Sequence, residues 1–140
     1  MYVIDTNVIS ELSKPNPAES VIKWVADAQN DCYLTAITLK ELSYGMMLMD
    51  DGKRKNALRE TIDSITREYE DKTLPFDASC SQICAKLEIQ AIRTGHTPTI
   101  EDMMIAAICE RHNAILVTRN TKDFHYLGIN LINPFTEQTG

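Results

Sequence analysis

Four acidic residues, Asp5, Glu41, Asp102 and Asp123, are scattered through the 140-residue chain, yet each falls where a strand ends or a helix begins. Asp5 closes the apolar run Tyr2-Val3-Ile4, and Glu41 belongs to the first turn of a helix after a second strand-like run. Asp102 belongs to the first turn of a helix opened by Thr99, and Asp123 follows a strand ending at Thr118. Gathered in one pocket, they would repel. Two like charges about 4 Å apart cost roughly 4 kcal/mol at an effective dielectric near 20. No lysine or arginine is an obvious partner except Lys40, which faces another side of its helix than Glu41. An all-oxygen site without His or Cys suits a hard cation, Mg²⁺ or Mn²⁺, better than zinc. Such an ion lowers the pKa of a bound water and stabilises charge on a phosphoryl oxygen, which makes phosphodiester hydrolysis the leading chemistry. Thr6, Asn7, Thr118 and Asn120 stand beside the acids with hydroxyl and amide groups that can orient them or hold water.

Each residue also has a purely structural explanation. Thr38-Leu39-Lys40-Glu41 fits a capping box, worth about 1 kcal/mol, and Thr99-Ile100-Glu101-Asp102 fits another. A negative charge in the first turn is favoured by the helix dipole. Asp5 resists such an explanation, because a carboxylate continuing a buried strand needs a partner.

The elements that must position these acids follow from the apolar spacing. Val8, Ile9 and Leu12 predict a short helix after Asp5, ended by Pro15 and Pro17, and Val21, Trp24, Val25 and Ala28 predict a second. Cys32–Ala36 reads as the second strand. Helices from Leu39 to Met49, and through Leu58, Ile62, Ile65 and Tyr69, form a helical hairpin across Asp51-Gly52. Leu74-Pro75-Phe76 reads as an edge strand, with Asp77 capping a helix that bears Ile83, Leu87 and Ala91 and stops at Gly95. After the Thr99 helix comes the strand Ala114–Thr118, then a short helix over Lys122–Leu127 and a last strand, Ile129–Ile132. Alternating strands and helices imply an α/β fold in which a parallel sheet has helices on both faces. In such a fold the carboxyl ends of the strands share one edge, where ligands bind at a reversal of strand order.

Composition removes other classes. With 14 Lys+Arg against 20 Asp+Glu the net charge is −6, which argues against coating nucleic acid through bulk charge, and the four acids account for much of the excess. Hydrophobic residues make up 44% and neither repeats nor low-complexity tracts occur, so residues 1–140 are expected to form one globular domain. No stretch approaches the ~18 apolar residues that span a bilayer, so a cytoplasmic protein without membrane contact is expected. Cys32, Cys80, Cys84 and Cys109 contain no C-x-x-C pair and fit no zinc spacing with His96, His112 and His125. They read as buried, reduced thiols.

Four segments in order, spanning most of the chain, resemble the PIN-domain ribonuclease toxins of the VapC/FitB-like group. They are MYVIDTNVISE at Met1–Glu11, ITLKEL at Ile37–Leu42, DMMIAA at Asp102–Ala107 and VTRNTKDF at Val117–Phe124. The resemblance implies a three-layer α/β/α PIN fold with a central, mostly parallel sheet and a protruding helical hairpin. It implies a metal-dependent endoribonuclease, the toxin of a type II toxin–antitoxin pair, leaving a 3′-hydroxyl and a 5′-phosphate. Asp5, Glu41 and Asp102 would ligate Mg²⁺ or Mn²⁺ directly or through water, with Asp123 or Asn120 in the fourth position. Similar proteins form homodimers and are neutralised by a small VapB-like antitoxin, which alone contacts operator DNA. Two local features suit these partners: the flexible apolar run Gly45–Met49 for a peptide helix, and Lys53, Arg54, Lys55, Arg59 and Arg119 for RNA phosphates. The alternatives are a non-catalytic PIN-fold partner in a DNA-binding repressor complex, or a phosphatase-like domain. Asn7 stands where many such phosphatases need a second acid.

Overall fold

The structure, a computed structural model, describes residues 1–136; the last four residues of the expected 1–140 domain lie outside the described residues. The first strand, β1 (Tyr2–Ile4), runs directly into Asp5, whose carboxylate accepts from Thr6 N at 2.8 Å and so caps α1 (Thr6–Leu12). After the two prolines, α2 (Glu19–Ala28) and a 3₁₀ turn (Gln29–Asp31) lead to β2 (Cys32–Thr35). Strand β2 ends one residue earlier than expected. Thr35, not Thr38, caps the next helix, accepting from Thr38 N at 3.1 Å, so α3 (Ala36–Met47) begins at Ala36. The expected capping box at Thr38–Glu41 is therefore not formed, and Glu41 sits in the second turn.

Helix α4 (Lys53–Glu68) completes the hairpin with α3, presenting Leu58, Ile62 and Ile65 to the body of the protein. Strand β3 (Thr73–Leu74) lies on the sheet edge as expected but stops before Pro75, which has no N–H to give to a ladder. Asp77 accepts from Cys80 N at 2.9 Å and caps α5 (Ala78–Arg93), which ends at Thr94 and Gly95. Gly95 has φ +79, a left-handed turn that a side chain would strain. Thr99 caps α6 (Ile100–His112) through Asp102 N at 3.1 Å, as the spacing predicts, and Asn113 ends it in the left-handed conformation. Then follow β4 (Ile115–Val117), α7 (Thr121–Phe124), a 3₁₀ turn (His125–Leu127) and β5 (Leu131–Ile132). The last two strands are shorter than their apolar runs because the ladder pairs only part of each.

All ladders are parallel, in the order β3-β2-β1-β4-β5. Successive residues of a strand face opposite sides. Val3 and Leu116 enter one core with Leu87, Met103 and Ala106, whereas Ile4 and Val117 enter the other with Val8, Val21, Leu34 and Ile62. Helices α5 and α6 cover the first face, and α1 to α4 the second. All four cysteines are free and buried, and burial pushes the Cys84 thiol up to about 11. No helix among the described residues is long and apolar enough to cross a membrane.

The order of the strands decides where a site can form. From β1 the chain moves outward to β2 and β3, then returns to place β4 on the opposite side of β1. The strand order thus reverses between β1 and β4, whose carboxyl ends are tied by Asp5 N donating to Val117 O at 2.9 Å.

Candidate active site

Asp5 lies at that reversal and is only 4% exposed. A buried carboxylate must be satisfied, and three groups do so. Its Oδ1 accepts from Thr6 N, and its Oδ2 accepts from Thr118 Oγ1 at 2.8 Å and from Asn7 Nδ2 at 3.1 Å. Asn7 extends the bridge, since its Oδ1 accepts from Arg119 N at 3.0 Å. Asn120 N donates to Thr118 Oγ1 at 3.1 Å. The segments Asp5–Asn7 and Thr118–Asn120 thus form one hydrogen-bonded unit across more than a hundred residues of sequence. Within it Asn120 acts through its backbone, while Thr118 and Asn7 fix the Asp5 carboxylate.

Glu41 is held from the neighbouring helix. Its Oε1 accepts from Thr6 Oγ1 at 2.7 Å. Thr6 Oγ1 is also 3.2 Å from Thr38 Oγ1, which is 3.3 Å from Thr35 Oγ1. One hydroxyl carries one proton, so with Glu41 the nearest acceptor the three threonines form a chain that ends on its carboxylate. By spacing, Thr38 is the expected cap and Thr35 belongs to the strand; neither points to this chain, because Thr38 meets Thr6 only once β1 and β2 are paired.

Asp102 is half-buried in the first turn of α6, and Asp123 is exposed in α7. Burial raises the Asp102 carboxyl to about 6, with the Asp5 charge next in importance and those of Asp123 and Glu41 adding to it. Burial also raises Asp5, against the hydrogen bonds of Thr118, Thr6 and Asn7, with Asp123 reinforcing the shift. Glu41 rises for the same leading reason, opposed by Thr6 and reinforced by Asp5 and Glu101. The four acids therefore share one electrostatic neighbourhood. Among the described residues no salt bridge reaches any of them: Lys40, the nearest candidate in sequence, pairs with Glu101 at 3.3 Å instead.

The acids do not form a closed cage. Among the described residues no group of three His, Cys, Asp or Glu side chains stands ready to enclose a metal. The donor set, carboxylates with threonine and asparagine around them, is all oxygen, which fits a hard divalent ion that keeps several of its waters. Arg119 is exposed, with its guanidinium 4.5 Å over the Phe135 ring. Of the basic run in α4, Lys55 is paired with Asp51 at 3.0 Å, whereas Arg54 lines a groove of about 440 Å³ between α1, α3 and α4. That groove starts at Thr6 and Glu41 and passes Met46 and Met49, while Met47 and Leu48 face outward.

Comparison with known proteins agrees with this arrangement. The PIN-domain family profile matches residues 2–129. The VapC ribonuclease Y4jK of Sinorhizobium fredii is 38% identical over 96% of this chain and 98% of its own length. The toxin FitB of Neisseria gonorrhoeae is 36% identical over 96% of this chain and 99% of its own. The solved structure of FitAB bound to an IR36 DNA fragment superposes with a TM-score of 0.91 at 35% identity, covering 99% of both chains. The chain belongs to the PIN-domain family. Within it, these likenesses place it in the VapC/FitB-like group.

Proposed function

We propose that this chain is the endoribonuclease toxin of a type II toxin–antitoxin pair, cutting RNA with the help of Mg²⁺ or Mn²⁺. The observation that carries the proposal is the convergence of Asp5, Glu41, Asp102 and Asp123 at the strand-order reversal, where three carboxyls are raised by burial and by their acidic neighbours and, among the described residues, no salt bridge neutralises them. The relatives named as a VapC ribonuclease and a toxin support the same chemistry. Asp5, Glu41 and Asp102 would hold the ion directly or through water, with Asp123 at the open end. A divalent ion so held supplies Lewis acidity at a phosphoryl oxygen and a water of lowered pKa.

The chain's own groups do the positioning. Thr118 and Asn7 keep the Asp5 carboxylate in one orientation, and the threonine chain favours the charged form of Glu41 against its burial and fixes its direction. Arg119, next to Thr118 in the chain and exposed, is the proposed cation for RNA phosphate. A VapB-like antitoxin would seat an apolar peptide helix in the groove between α1, α3 and α4, which ends at Glu41, and would carry the operator-DNA contacts itself. The likeness to a FitAB complex solved on DNA supports an antitoxin partner and DNA binding by the complex, and the proposed assembly includes a homodimer.

The test is cleavage of structured RNAs by purified protein in Mg²⁺, Mn²⁺ or chelator, alongside Asp5→Asn and Asp102→Asn. Loss of cleavage with chelator and in both variants is expected. Cleavage that survives chelator, or full activity in both variants, would remove the catalytic proposal. Absence of any RNA cleavage with tight operator binding beside a co-expressed partner would favour the repressor role instead.

A further inference from the structure

Beyond Asp102 and Asp123 the acidic edge continues into a pocket of about 370 Å³ whose chemistry the four carboxylates do not use. Its lining includes His96, Thr97, Lys122 and Tyr126 beside the two aspartates. The Tyr126 ring stacks face to face on His96, with centroids 3.6 Å and planes 1° apart. Both rings are held from behind. His96 Nδ1 lies 2.9 Å from Thr94 Oγ1, and the Tyr126 carbonyl accepts from Gln90 Nε2 at 3.0 Å. The left-handed turn at Gly95 delivers His96 to this place, and His96 N donates to Ala91 O at 2.9 Å. The Tyr126 hydroxyl is buried and, among the described residues, is the only buried side-chain polar atom without a hydrogen-bond partner. A buried phenol normally has one, so this hydroxyl beside the pocket carries an unmet hydrogen bond.

We infer that this pocket is a nucleotide subsite, holding the residue of the RNA strand next to the cleaved bond, with its base against the His96–Tyr126 pair and its sugar–phosphate toward Lys122. The inference rests on the ribonuclease proposal and adds to it the place where the flanking nucleotide binds. An aromatic pair offers a π surface that any base can use, and single-stranded RNA is held by stacking together with backbone charge. Lys122 supplies that charge, while Thr97 and Tyr126 supply hydroxyls for sugar, phosphate or base edges. Continuity with Asp102 and Asp123 places such a nucleotide beside the reacting phosphate. A peptide fits less well, because its apolar anchors have the methionine-lined groove on the other side of Glu41.

The experiment uses the intact protein with Mn²⁺ and a cleavable RNA, made also with an abasic residue on one or the other side of the cut bond. Wild type is expected to lose roughly tenfold in kcat/KM, through KM, at one of the two abasic positions. Tyr126→Leu and His96→Leu, which remove the stacked pair, should cleave intact RNA about as poorly as wild type cleaves the abasic RNA, and lose little more on the latter. Equal abasic sensitivity in wild type and both variants would overturn the subsite. So would protection of His96 by a co-expressed partner peptide while the abasic effect stays unchanged, since the pocket would then belong to protein. Complete inertness of wild type toward RNA, indistinguishable from Asp5→Asn, would instead bring down the ribonuclease proposal and the subsite with it.

Discussion

Replacing Asp102 by Asn removes a charge that the folded protein holds at a cost, and the structure fixes both the sign and the size of the effect. The carboxyl titrates at about 6 in the folded chain, against an ordinary value of 3.8. Below pH 3.8 it is protonated whether the chain is folded or not, and stability does not depend on it. Between 3.8 and about 6 the unfolded chain releases a proton that the folded chain keeps, so rising pH withdraws stability. Above about 6 the loss is complete. A gap of about two pKa units corresponds to at most ~3 kcal/mol, and partial solvent exposure reduces this to about 1–2 kcal/mol. The attraction between Asp102 and the amino end of α6 opposes the effect by a few tenths of a kcal/mol. For a chain of this length, about 0.3 kcal/mol per kelvin at the midpoint makes the shift roughly 3–6 °C. Thermal melts followed by circular dichroism in chelator should therefore show Asp102→Asn melting above wild type at pH 7.5, with the gap closing by pH 4. A variant that melts below wild type at pH 7.5, or a gap that ignores pH, would refute the electrostatic account of the site.

Three further outcomes are expected. Saturating Mn²⁺ should raise the melting temperature of wild type at pH 7.5, by about 2.7 kcal/mol of stability at a hundred times Kd, and should leave Asp5→Asn unmoved; calorimetric titration measures both. Thr6→Val, which removes the hydroxyl donor to Glu41, should raise the Glu41 pKa and move the acidic limb of the cleavage pH profile upward, with kcat reduced about tenfold and folding intact; an unshifted limb would leave Thr6 without a role at Glu41. Thr35→Ala should cost about 1 kcal/mol in denaturant unfolding by uncapping α3, and a value near zero would contradict the assigned helix start.

Asp5 was legible in the sequence because a carboxylate continuing Tyr2-Val3-Ile4 has few structural excuses, and the Thr99 cap was legible because polar spacing and apolar periodicity agree there. The start of α3 was misplaced by three residues. Thr35 and Thr38 are equally good caps by type, and Ala36 and Ile37 extend the strand-like run, so only the end of pairing with β1 and β3 decides between them. Strand β3 was shifted off Pro75 for a similar reason: its neighbours are apolar, and the missing N–H acts only when a ladder is present. The His96–Tyr126 stack left no local signal. It depends on the Gly95 turn and on the 3₁₀ turn His125–Leu127 meeting the end of α5, contacts between segments some thirty residues apart. The threonine chain to Glu41 was hidden likewise, since each hydroxyl alone looks like ordinary turn chemistry.

The bridge from Asp5 to Thr118 also bears on biosynthesis. Synthesis adds Asp5 well before its hydroxyl donor on Thr118, 113 residues later, and Asp123 follows later still. A half-made chain owns the earliest carboxylates but has no β4 to seal against β1, so Asp5 lacks its bonds to Thr118 and Val117. The proposed site is thereby unassembled for most of translation, and its edge is completed only when β4 closes beside β1.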